Sequence, residues 1–77
     1  MITDTKNILN IAASLQPGEV IYKEALNETV ARRCASRVTC HCRYGKKMAD
    51  MQFSCRIVLA VETALKTQLL LRIERIA

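Results

Sequence analysis

The sequence predicts an α+β fold, a small single domain spanning residues 1–77, in which helix, strand and helix are followed by a β-hairpin. Three observations carry that expectation. Apolar residues recur at helical offsets before Pro17 and again after Asn27, Pro17-Gly18 separates the two stretches, and after Asp50 the apolar period drops to two residues.

In residues 3–16, Ile8, Ile11, Ala12 and Leu15 fall on one helical stripe, with Thr3 and Asp4 as capping residues, and Pro17-Gly18 ends the helix. Residues 19–23 read as a short strand, because Val20, Ile21 and Tyr22 are β-branched or aromatic. Asn27 is a good N-cap for the next helix. Turning about 100° per residue gathers Val30, Ala31, Cys34, Ala35, Val38, His41 and Cys42 within one arc of about 140°. The opposite arc receives Arg32, Arg33, Ser36, Thr39, Arg43 and Lys47, with Arg37 at its border, and Gly45 marks the end.

Beyond Asp50, Phe53, Cys55, Ile57, Leu59 and Val61 alternate with Gln52, Ser54, Arg56 and Glu62, the pattern of a half-buried strand. Leu69, Leu71 and Ile73 alternate again, giving a second strand over residues 68–76, joined through a turn at residues 63–67. That turn holds no Gly, Pro, Asn or Asp, the residues short hairpins usually use. The same stretch also fits a helix from about residue 57, with Val58, Val61, Leu65, Leu69, Arg72, Ile73 and Ile76 on one side and Glu62 four residues before Lys66. The alternative is therefore an all-α fold of three helices. On the hairpin reading the core comprises Val30, Cys34, Val38, Phe53, Cys55, Ile57, Leu59, Leu71 and Ile73.

Composition narrows the function. At 77 residues the chain buries only roughly 60% of its unfolded surface, and it has no room for separate binding and catalytic lobes. A hydrophobic share of 51% with 25% charged residues belongs to a packed domain rather than a disordered one. No secretory signal is visible and no apolar run approaches the twenty or so residues of a spanning helix, so the expectation is a cytoplasmic protein that does not cross a membrane. Two glycines cannot form a phosphate-cradling loop, and no H-E-x-x-H or G-x-S-x-G pattern occurs. A non-enzymatic protein without cofactor is expected.

Cys34, Cys40, His41, Cys42 and Cys55 offer enough nitrogen and sulfur for zinc, but on a helix Cys40 and Cys42 project about 160° apart and cannot grip one ion. Reduced, packed thiols at Cys34, Cys42 and Cys55 are expected instead, with His41 at the edge of the core. A nucleophilic dyad could only join His41 to Cys34 or Cys55, and no orienting group accompanies it.

Charge is the most informative feature. Residues 1–22 sum to −1 (Lys6 against Asp4 and Glu19) and residues 48–77 to +1. Residues 23–47 carry +5, from seven Lys and Arg against Glu24 and Glu28. A helix face with Arg32, Arg33, Arg37, Arg43 and Lys47, continued by Lys46, forms a positive stripe roughly 20 Å long. It suits backbone phosphates, with Ser36, Thr39 and Tyr44 as further contacts and Tyr44 able to stack on a base. Charged residues on an outward helix face are ordinarily only its solvated side, but this face lacks interspersed Glu and Asp. The arginine fork matches carboxylates as well as phosphates, so nucleic acid and an acidic protein surface both remain open as partners.

The short first helix, the run L-Q-P-G-E at residues 15–19, the arginine helix at residues 27–43, then G-K-K, F-S-C-R and the terminal R-I-E-R-I together resemble small proteins encoded by phages and prophages. The resemblance implies a cytoplasmic accessory protein of the host cell that controls DNA transactions or disables a host machine such as a defence complex. Three expectations follow. The first is a basic regulator binding nucleic acid through Arg32, Arg33, Arg37, Arg43, Tyr44, Lys46 and Lys47. The second is an inhibitor docking on a host protein, for example a CRISPR surveillance complex. The third is a homodimer formed through an exposed strand at residues 70–76.

Overall fold

The computed structural model describes residues 1–63 and 66–77. Five elements follow in order: α1 (Ile8–Ala13), β1 (Val20–Glu24), α2 (Glu28–Tyr44), β2 (Phe53–Thr63) and β3 (Lys66–Arg75). The fold is α+β, and the all-helical alternative is excluded because the two-residue alternation wins over residues 57–76. Among the described residues no helix is long and apolar enough to cross a membrane.

The sheet is antiparallel in the order β1-β3-β2. β1 and β2 therefore point the same way, α2 connects them, and β3 inserts between them to complete a split β-α-β unit. Helix α2 covers one face, where Cys55 pairs with Ile73 and Ile57 with Leu71. Leu71 and Ile73 are fully buried there beneath Cys34 and Val38. Short helix α1 closes the same side with Ile8 and Ala12, Leu15 just beyond it adds to the layer, and Met48 from the loop after α2 completes the core. At one end Ala25 N–H donates to Leu69 O at 2.9 Å, so α2 starts level with the Leu59–Leu69 rung and runs back toward Phe53. Rungs closer to the hairpin turn project beyond the helix.

Four expectations are corrected. The first helix is six residues rather than most of residues 3–16: Asp4 Oδ1 accepts from Lys6 N–H at 2.8 Å, which holds the chain in a turn ahead of Asn7. The hairpin strands reach Thr63 and resume at Lys66, so Thr63, Lys66 and Thr67 belong to strands rather than to the expected turn at residues 63–67, and positions 64 and 65 lie outside the described residues. Leu59, expected inside, is 65% exposed because α2 begins only at its level and leaves it uncovered. The strand at residues 70–76, expected to offer a free edge, is instead central, with residues 70–74 paired to β1 on one side and to β2 on the other.

Candidate anion-binding face of helix α2

The local sequence sets both ends of α2. Asn27 Oδ1 accepts from Val30 N–H at 2.9 Å, and Gly45 N–H donates to His41 O at 2.9 Å where the chain leaves the helix. Between these caps the inward arc is Ala31, Cys34 and Val38, all buried, flanked by partly buried Val30, Ala35 and Cys42. Burying that arc leaves the opposite one in solvent. Arg32, Arg33, Arg37, Arg43, Lys46 and Lys47 are all exposed, and Tyr44 is 81% exposed.

Helical geometry sorts these residues into two adjacent rows. Arg33, Arg37, Cys40 and Tyr44 follow at offsets of four, three and four, and so do Arg32, Ser36, Thr39 and Arg43. Each row rises about 16 Å. Arg37, at the border of the polar arc, falls in the first of these rows. Lys46 and Lys47 continue the positive charge past the helix end, beside a depression of about 360 Å³ whose walls include Leu9, Ala13, His41 and Met48.

The cations are not equally available. Arg32 forms an ion pair with Glu28, 2.5 Å apart one turn earlier, so the expectation of a face without acidic partners fails at its first turn. With side chains 72% and 59% exposed, that pair contributes little, about 0–1 kcal/mol, but it offsets one positive charge. Among the described residues no carboxylate pairs with Arg33, Arg37, Arg43, Lys46 or Lys47. Thr39 Oγ1 donates to Ala35 O at 3.0 Å, so its proton is engaged within the helix and the hydroxyl can offer a ligand only its acceptor lone pairs. Arg43 also lies in the last turn, where a cation complements the helix dipole whatever else it binds.

The thiols divide as the helix requires. Cys34 is buried, Cys42 and Cys55 are partly buried, Cys40 is exposed, and all four are free. Among the described residues no three His, Cys, Asp or Glu are placed to hold a metal ion.

Two further arginines escaped the sequence reading. Arg56 and Arg72 face each other across β2 and β3 on the sheet surface away from α2. Arg72 donates to Tyr22 Oη at 3.3 Å and to Glu74 Oε1 at 3.1 Å. These bonds, Tyr22 first and Glu74 next, hold its guanidinium above the ordinary arginine range. The alternation of β2 gave a signal for Arg56, since it falls opposite the apolar set, but only the strand register brings it to Arg72. No family model, curated protein or solved structure matches the chain.

Proposed function

We propose that the chain is a small, non-enzymatic binding protein of the phage accessory type that engages the phosphate backbone of nucleic acid with the outward face of α2, in a regulatory role. One observation carries the reading: exposed Arg33, Arg37 and Arg43, followed by Lys46 and Lys47, succeed one another along α2 and its exit with no carboxylate among them. Each guanidinium can accept a phosphate in a bidentate fork, and Ser36 lies in the second row, one turn after Arg32, as a hydroxyl donor. Exposed Tyr44 stands at the end of one row, where a base or a sugar can stack. Arg32, paired with Glu28, contributes less, and exchange of Glu28 for phosphate is its route to the ligand.

The test is fluorescence anisotropy with labelled duplex and single-stranded DNA across a salt series. Affinity falls with salt, with a log–log slope of roughly −0.9 for each phosphate neutralised on duplex. The triple variant R33Q/R37Q/R43Q weakens binding by more than about tenfold and makes the slope shallower by roughly two to three. No binding at low salt, or binding indifferent to salt and to the triple variant, overturns the reading and returns the arginine rows to an acidic protein surface.

A further inference from the structure

The depression of about 360 Å³ beside Lys46 and Lys47 lies between α1 and the exit of α2. Because α1 turns Ile8 and Ala12 into the core, Leu9 and Ala13, one turn apart, are left as one wall of it. Met48, 4% exposed, forms another. Two polar side chains stand among these apolar groups, Asn10 from α1 and His41 from α2, and neither makes a side-chain hydrogen bond among the described residues. Both are free to bind. Gly45 keeps the space beside the imidazole open, since a Cβ there would stand 3.1 Å from His41 Nδ1. Lys46 and Lys47, both exposed, also line the depression, and among the described residues no acidic one does. An adjoining hollow of about 120 Å³ shares His41 and Gly45 and is walled by Cys40 and Tyr44, the last two members of the first row on α2. The depression is therefore continuous with the cationic face.

We propose that this depression takes an unpaired base of single-stranded nucleic acid, with the adjacent phosphate on Lys46 and Lys47 and the next base stacked on Tyr44. The inference rests on the reading of α2 as a phosphate-binding face and names the form of nucleic acid that face selects. The faces of a base lie well against Leu9, Ala13 and Met48, and its edge carries both donors and acceptors. The Asn10 amide and the His41 imidazole can each supply a donor and an acceptor to that edge. Its phosphate brings the negative charge that the two lysines lack. An aliphatic anion would suit the walls and the lysines but would gain nothing from Asn10 or His41. A duplex offers no such base, because its bases are stacked and their edges paired, and extruding one is costly. The site selects single strands.

Fluorescence anisotropy of the full chain at one salt concentration tests it, with a labelled single-stranded oligothymidylate and a labelled duplex of equal length as probes. The single strand binds about fivefold or more tighter than the duplex, the low end of what one stacked base supplies. A13F, which fills the depression from an exposed position on α1, brings the ratio of the two affinities to about one. N10A lowers the same ratio, and both variants keep the far-ultraviolet circular dichroism spectrum of the wild type. A further reading needs no variant: the Met48 methyl resonance shifts with the single strand and not with the duplex, because a base ring lies against it. Equal affinities for the two probes, a ratio that both variants leave intact, or a Met48 methyl that the single strand does not move overturns the base site and leaves the phosphate-binding reading standing. Failure of both probes to bind overturns the two together.

Discussion

Cys34 shows what a single buried side chain decides. Its thiol donates to Asp4 O at 3.6 Å, tying the N-terminal segment to α2, and burial, helped by the Asp4 charge, lifts its pKa above the ordinary thiol range. Burial does the same for Cys42, and for Cys55 burial is reinforced by Cys42 and Cys34. Each folded thiol holds its proton more tightly than the unfolded one, so the stability it contributes is complete below the unfolded thiol pKa and is lost as pH rises through the folded one. The urea midpoint therefore stays level through neutral pH and declines from about pH 8.5 upward, and the decline is shallower in C34A and C55A. A midpoint indifferent to alkaline pH would contradict the linkage. Helical and strand periodicity made the inward placement of Cys34, Cys42 and Cys55 legible, and equally the outward placement of Cys40. That the three inward thiols share one wall was not legible, since it depends on where β2 passes under α2.

At the scale of elements, α2 was the most legible part of the chain because local chemistry fixes both ends. The two glycines end their segments for different reasons. Gly18 has φ of 89°, a conformation that side chains disfavour, and it turns the chain from α1 into β1. Gly45 has ordinary φ but no space, because a Cβ there would stand 2.6 Å from His41 O, the carbonyl its own N–H bonds. G45A forces the α2 exit to shift and costs on the order of 1–3 kcal/mol, read as a lower denaturation midpoint with retained helical signal. Equal stability would show that the exit relaxes freely. α1 was less legible, because its apolar stripe continues to Leu15 although the helix stops at Ala13. Its end is tied by a contact distant in sequence: Arg75 Nη1 donates to Leu15 O at 2.7 Å.

For the whole molecule, stability concentrates in the central strand. Leu71 and Ile73 are fully buried between β1 and β2 beneath α2, in one core cluster with Ile8, Ala12, Cys34, Val38 and Met48. L71A removes about 2–5 kcal/mol from a small domain whose total is near the low end of about 5–15 kcal/mol. The variant is substantially unfolded at 37 °C by circular dichroism, and a cooperative melt within a few degrees of wild type would refute the central role of β3. The sequence by itself determined that arginines collect on one wall of α2 and Cys34, Val38 and Cys42 on the other. That division needs only the helical period and the preference of apolar groups for burial. Tertiary structure alone decided that β3 lies between β1 and β2, that Leu59 emerges beyond α2, and that β2 has no second partner strand among the described residues. Strand order and the reach of a covering helix are set by pairings between residues far apart in the chain, and local periodicity is the same whichever neighbour a strand acquires.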